Sequence, residues 1–429
     1  MGILSNLKSV YQQKSFRSVA IYTFTNFFGK SASFLLLFVF TNPVYITPSE
    51  NGLLSLFSNS MLLLMPFLSM GIIHSTSAEY FKLDKKEFKD LFTTGFVMPF
   101  VIMIISCMIL FLFRQQLYDN YGFPVMFVWL IPLITFLVFC NEQLLGIARN
   151  TEKPGIFLKA NISKISLELI ISFVLVVFLA WRWEGRVAGI LISYVIVAIY
   201  GFHFFFKNDF LFGTVRKKYI ISELLYAVPV IAMQTSIFCM SASDRFFLSH
   251  FIDDNNETVG IYNVVVTFGS VMIILSTALL QYIFPKIYTE LSKDNINYGS
   301  IRNSFKMYTM VMLSGFILIV LFTPVAYHFF INDRYHSALP LVIFTTGGYF
   351  LWTIAYFFYS FLLFFKEKRK ILALSICCII VSLSFNYLFI GKWGMWGAAV
   401  SHLAAYCIVL ILTLAFTRSY WKRIFILKR

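Results

Sequence analysis

Twelve apolar runs of about 18 residues or more, separated by short polar breaks, commit this chain to a lipid bilayer. They lie near 17–41, 50–73, 94–113, 122–146, 156–180 and 185–206, and again near 222–250, 258–283, 305–331, 337–365, 370–390 and 394–417. In lipid every backbone polar group needs a partner within the protein, so runs of this length are helices. Barrel strands alternate and leave no unbroken apolar stretch. Composition agrees: 59% of the 429 residues are hydrophobic and 13% charged, against about 45–50% and about 25% in soluble domains. A soluble enzyme is excluded, and twelve spans of about 20 residues leave no room for a sizeable extramembrane domain. The 51 Phe residues are expected mainly on lipid-facing and interfacial surface.

The position of the charges decides what the net +15 means. With the N-terminus inside, 28 of the 35 Lys and Arg fall in inner segments. Six are counted with the outer segments (Arg114, Arg182, Arg186, Arg245, Arg334 and Lys392), and Lys30 is set apart as the cation in the middle of the first span. That split places both chain ends in the cytoplasm. The excess charge is an orientation signal, and nucleic acid is not an expected partner. Residues 1–16 carry Ile3, Leu7, Val10 and Tyr11 at helical spacing, which reads as an interfacial helix rather than a cleaved signal. The basic tail 418–429, with Trp421 and Phe425 among its cations, reads as a second anchor, so membrane lipids are expected partners. The six cysteines all sit in apolar runs and are expected as small core residues without disulfides. The six histidines lack metal-ligand spacing, so no metal site is expected.

Sliding the chain against itself brings out an offset of 208. Gly52 meets Gly260, Tyr80 meets Tyr288, Lys85 meets Lys293, Gly189 meets Gly397 and Ser193 meets Ser401. Ser31-Ala32-Ser33 and Ser241-Ala242-Ser243 match at 210. One shift serving sites so far apart predicts two parallel six-helix lobes, 17–206 and 222–417, joined by a cytoplasmic linker 207–221. The fold class is thus an all-α polytopic membrane protein in two pseudo-symmetric lobes, an architecture that transports by rocking about a path between them.

A charge at the bilayer centre costs roughly 3 kcal/mol, so each one needs a partner or a task. Lys30 lies about 13 residues into the first span, some ~20 Å deep at 1.5 Å per residue. Gly29-Lys30-Ser31 lacks the earlier glycine and the strand of a P-loop. Glu168 is similarly deep, one turn beyond Lys164; the two form either a structural ion pair or a cation beside a protonatable, ion-coupling carboxylate. Glu142 either reaches the inner interface or joins that coupling. Asp244-Arg245 either marks the outer boundary of the seventh span or faces a central cavity with Lys30. Arg149, Lys153 and Lys159 make the inner mouth of the first lobe positive, which serves an anionic substrate because phosphate oxygens seek ammonium and guanidinium donors.

The segments Asn26–Tyr80, Ser243-Asp244-Arg245-Phe246-Phe247-Leu248, Val259-Gly260-Ile261-Tyr262, Phe284-Pro285-Lys286-Ile287-Tyr288 and Gly394-Met395-Trp396-Gly397-Ala398-Ala399 resemble, in order and spacing, the Wzx-type O-antigen and polysaccharide-repeat flippases. Those flippases share a superfamily with the multidrug (MATE) exporters. The resemblance implies a MATE-like fold of about 12 helices, a V-shaped cationic cavity, and passage of an undecaprenyl-diphosphate-linked oligosaccharide from the cytoplasmic to the outer leaflet of a bacterial inner membrane. It implies coupling to an H+ or Na+ gradient, with no cofactor and no catalytic residue. Lys30, Arg149 and Arg245, supported by Lys159 and Lys164, are the expected diphosphate or sugar contacts, and Glu168, Asp244 and Glu142 the expected coupling groups. A polysaccharide polymerase or export machinery is an expected partner. The alternatives are a small-molecule or drug exporter, which would favour an acidic cavity, and a membrane polymerase or ligase, which would carry a long outer loop.

Overall fold

The structure, a computed structural model, describes Gly29, Phe34, residues 36–294 and residues 296–425, with the side chains of 225 and 226 set aside. Lys30, Ser31-Ala32-Ser33, the surface segment 1–16, most of the first span and the last four residues of the tail lie outside the described residues.

Every regular element among the described residues is helical. In chain order these are α1 (Pro48–Ser69), α2 (Ile72–Glu79), α3 (Lys85–Leu112), α4 (Arg114–Tyr121), α5 (Met126–Asn150), α6 (Pro154–Phe173) and α7 (Arg182–Lys207). There follow α8 (Lys217–Phe251), α9 (Glu257–Leu291), α10 (Tyr298–Phe330), α11 (Val342–Phe364), α12 (Lys368–Phe416) and α13 (Arg418–Phe425). Polar residues at the ends of the apolar runs fix where helices start. Thr47 and Glu50 form a reciprocal cap on α1: the Glu50 carboxylate accepts from the Thr47 amide at 2.7 Å, and the Thr47 hydroxyl accepts from the Glu50 amide at 3.3 Å. Asp84 caps α3 by accepting from the Glu87 amide at 2.7 Å.

Among the described residues nine helices are long and apolar enough to cross a membrane, and α8, bent by 44° between Lys217–Leu224 and Ala227–Phe251, makes a tenth. α12 has 49 residues, about 74 Å of helix at 1.5 Å per residue and far more than one crossing needs. Gly394 interrupts it at φ 52°, a left-handed conformation that glycine adopts without strain, so α12 is two crossings joined by a kink. That gives eleven crossings among the described residues, in line with the expected number of about twelve.

By contact the chain forms two compact units. The first contains Ser60–Gln115 and Pro124–Ile231; the second contains Leu37–Asn59, Gln116–Phe123 and the chain from Ala232 onward. α1 and α8 therefore each run from one unit into the other.

The core of the first unit is rich in phenylalanine. Phe88, Phe92, Phe96, Phe139 and Phe205 are all buried, with the Phe92 ring 5.0 Å from those of Phe96 and Phe205. The abundant Phe thus fills protein interior as well as covering outward surface, where Phe113, Phe178 and Phe206 are exposed. Composition alone does not separate these uses, because lipid tails and a protein core are similarly apolar. The cysteines divide in the same way: all six are free, Cys140, Cys239 and Cys378 are buried, and Cys407 is exposed rather than in the core.

In the second unit α1 crosses α9 at glycines. A Cβ on Gly260 would meet the Pro48 carbonyl oxygen at 1.8 Å, and one on Gly52 would meet the Asn256 carbonyl oxygen at 2.0 Å. Around this crossing the Asn51 amide donates to the Gly260 carbonyl at 3.3 Å and the Ser55 hydroxyl donates to Asn263 at 3.0 Å. Gly52 with Gly260 and Ser55 with Asn263, both pairs separated by 208 residues, meet at this crossing.

Candidate functional site

Two polar clusters stand out, one inside each unit. In the first, α6 and α7 run antiparallel and present matching stripes. Lys164, Glu168 and Ser172 follow one another at four-residue spacing on α6; Arg186 and Tyr194 lie two turns apart on α7. Gly189 lets the helices close, because a Cβ there would stand 2.2 Å from the Ser172 hydroxyl. The Glu168 carboxylate accepts from Lys164 at 2.6 Å and from Arg186 at 2.6 Å. Arg186 also donates to the Ser172 hydroxyl at 3.0 Å, and the Lys164 ammonium lies 4.5 Å from the centre of the Tyr194 ring. Glu142, half-buried on α5, lies within electrostatic reach of Lys164 and Arg149.

The expected Lys164–Glu168 pair is thus present, but it is the smaller part of the arrangement. Arg186, assigned by charge counting to an outer segment, sits at the start of the second turn of α7 and completes a triad. Linear spacing conceals it because the partner lies across a helical hairpin. A carboxylate clasped by two cations keeps its charge, which suits it to hold α6 against α7.

The second cluster joins α8, α9, α11 and α12. Arg245 donates to Asp244 at 2.9 Å and to the backbone carbonyl of Ser241. The Tyr262 hydroxyl donates to Asp244 at 3.1 Å, and the His402 imidazole approaches the same carboxylate at 3.9 Å. The His402 ring packs edge-on against Tyr349 and Tyr406, with centroids 4.6 and 4.8 Å away. Asp244 is 3% exposed and Arg245 5% exposed. Arg245, counted from sequence among the outer segments, thus lies within α8 with its side chain buried. Its guanidinium is enclosed among tyrosines with its carboxylate, because a buried ion needs its counter-charge in contact. His402, scattered in sequence, is brought here by folding. Among the described residues no group of three metal-ligating side chains occurs.

The remaining expected contacts stand apart from both clusters. Arg149 and Lys159 are exposed at the polar end of α5 and on α6. At this end of the first unit a cavity of about 750 Å³ is lined by Tyr80, Lys85, Phe88, Asn150, Lys153 and Asp209. Lys153 donates to Asn208 at 3.2 Å, and Lys89 to Asp209 at 2.6 Å. Amides, carboxylates and ammonium groups beside aromatic rings give this cavity both hydrogen-bonding edges and apolar faces.

Residues 15–289, well over half the chain, match the family described as polysaccharide biosynthesis protein. The chain belongs to that family. Solved structures place this family member among transporters in fold. It superposes on the inward-facing conformation of a multidrug resistance MATE family transporter of the MOP superfamily with a TM-score of 0.70 and 15% identity, over 90% of this chain and 94% of that one. The outward-facing conformation of such a transporter gives 0.62 and 15%, over 95% and 96%. A MOP superfamily transporter from Pyrococcus furiosus, reported for the reversed polarity of its binding pocket, gives 0.62 and 14% over the same shares. At these identities the likeness is one of fold. No curated protein sequence matches the chain.

Proposed function

We propose that this polysaccharide biosynthesis protein moves undecaprenyl-diphosphate-linked oligosaccharide repeat units, of an O-antigen or related surface polysaccharide, from the cytoplasmic to the outer leaflet of a bacterial plasma membrane. The observation that carries the reading is the conjunction of a polysaccharide biosynthesis family with a transporter's fold over nearly the whole chain. A polysaccharide-pathway protein built as a transporter has saccharide intermediates as its natural cargo, and alternating access supplies the means of crossing.

The charge pattern supports an anionic, sugar-bearing cargo. Arg149 and Lys159 are exposed cations, and Arg149 adjoins Asn150 in the lining of a cavity that pairs lysines, amides and the carboxylates of Glu152 and Asp209 with aromatic rings. In this reading the diphosphate meets Arg149, Lys159 and Lys30, and the saccharide meets the cavity wall. Lys164 and Arg245, engaged in ion pairs, position helices instead of gripping substrate. An ion gradient, H+ or Na+, drives the cycle, and both termini lie in the cytoplasm. A polymerase acts on the units after they emerge.

Cells lacking the protein are expected to accumulate lipid-linked repeat units on the inner leaflet, measured by their inaccessibility to an external glycan-modifying enzyme. Normal exposure of those units on the outer leaflet rejects the reading.

A further inference from the structure

Three buried carboxylates of the described residues have a basic side chain in contact: Asp90 with Arg216 at 2.6 Å, Glu168 with Lys164 and Arg186, and Asp244 with Arg245. Glu223 differs. It is 3% exposed on α8, yet forms no ion pair among the described residues. Its two carboxyl oxygens lie 2.7 and 2.6 Å from one atom, the Ser75 hydroxyl of α2.

A proton count distinguishes the states of this contact. The Ser75 hydroxyl has one hydrogen and three oxygen neighbours, because the Ile72 carbonyl also lies 3.2 Å away. If the carboxyl is ionised, that hydrogen serves one neighbour and the others are left with facing lone pairs. If the carboxyl is protonated, it donates to the Ser75 oxygen while Ser75 donates to Ile72, and both bonds are made. Burial without a counter-charge favours the same neutral state.

Among the described residues the surroundings offer no cation to replace the proton. From α2, Glu79 is the charged group whose field reaches Glu223, and His74 instead feels Arg149. From α3, Asp84, Glu87 and Asp90 act on Tyr219, one turn before Glu223, and Arg216 there is committed to Asp90. Lys217 and Lys218 begin α8, about 9 Å along the axis from Glu223 at 1.5 Å per residue.

The position also favours a mechanical consequence. Glu223 lies in the short Lys217–Leu224 segment of α8, just before its 44° bend. Ser75 lies in α2, set off from α1 by Met70 at φ 47° and Gly71 at φ 72°. Just past the bend, Val230 packs against Gly71 at the head of α2, where an added Cβ would meet it at 3.2 Å. We infer that Glu223 is a proton-binding site that ties α2 to the first segment of α8 when protonated and releases that tie when its proton passes to water at the lysine-bearing end. This deepens the transport reading, on which it rests for what the proton drives, and it moves proton coupling from Glu168 and Asp244 to Glu223.

Infrared difference spectroscopy of the full-length protein in glycan-free liposomes tests the site independently of any cargo. The wild type is expected to show a protonated-carboxyl band that disappears on alkaline titration and is missing in Glu223→Gln; Ser75→Ala is expected to shift its frequency. A wild-type spectrum whose protonated-carboxyl region is unchanged by Glu223→Gln at every pH overturns the inference. In cells, export by Glu223→Gln is expected to lose its dependence on the proton gradient, with Glu223→Asp retaining it. Gradient-dependent export by Glu223→Gln likewise overturns it. Failure of the wild type to export glycan strikes the flippase reading alone, since the infrared arm contains no glycan.

Discussion

Gly260 stands against Gly52 so closely that the Cβ it lacks would lie 2.8 Å from the Gly52 amide nitrogen and 1.8 Å from the Pro48 carbonyl. Helices in lipid gain little from hydrophobic exclusion, so small residues that let backbones approach supply the packing energy. Gly260→Ala must push α9 away from α1 and is expected to cost about 1–3 kcal/mol, the usual range for overpacking. Thermal unfolding in detergent measures it. Gly155→Ala is the control: nothing lies within 4 Å of the added carbon, so its melting temperature is expected to hold.

The Glu168 triad makes a second prediction. Glu168→Gln leaves Lys164 and Arg186 facing each other without their shared counter-charge, and is expected to cost about 3–5 kcal/mol, as breaking a buried pair does. Adding Arg186→Met removes one of the stranded cations and is expected to recover part of that loss. Because two fixed cations keep Glu168 charged, the export defect of Glu168→Gln should be the same at every external pH. A defect that grows with external pH identifies Glu168 as a proton carrier instead.

What the sequence discloses follows from which physical constraints are local. The spans are legible because lipid demands continuous apolar helix, and the Lys164–Glu168 contact is legible because four residues make one turn. Gly52 and Gly260 are legible as a matched pair of positions but not as a contact, because a shared offset does not say which helices cross. Arg186, His402 and Ser75 are not, since each meets its carboxylate across a helical interface whose register no linear spacing reports. The burial of Arg245 with Asp244 is hidden for a related reason: charge counting near a span's end does not report what the side chain packs against.

The tail offers a pH-dependent test outside the membrane. On α13, Tyr420 donates to Glu367 at 2.9 Å and stacks on Phe365 with centroids 4.6 Å apart, while Lys370 donates to the same carboxylate at 3.0 Å. Hydrogen bonds from Lys370 and Tyr420 hold the Glu367 carboxyl below its ordinary value of 4.5. Its folded pKa is depressed, so its contribution to tail docking is fully present above that ordinary value and is lost as pH falls through the lowered one. Trp421 donates to the Leu414 carbonyl at 2.8 Å and reports the docking. Its fluorescence is expected to change on acidification in the wild type, and to lose most of that change in Glu367→Gln.

The exposed cations of the first unit carry the substrate prediction. Arg149 and Lys159 are exposed, and neither makes an ion pair with a carboxylate among the described residues. Their removal should therefore leave the fold intact, in contrast to changes in the Glu168 triad. A hydrogen bond from a cation to a charged acceptor is worth about 1.5–3 kcal/mol, and 1.4 kcal/mol is about tenfold in affinity. Arg149→Ala and Lys159→Ala are each expected to lower glycan export about tenfold or more at limiting substrate, with unchanged protein in the membrane. Arg149→Lys should restore only part of the loss, because an ammonium keeps the charge but not the planar fork that grips two phosphate oxygens together. Surface glycan quantified at equal protein level decides the matter: full export by the double variant removes both residues from the substrate path.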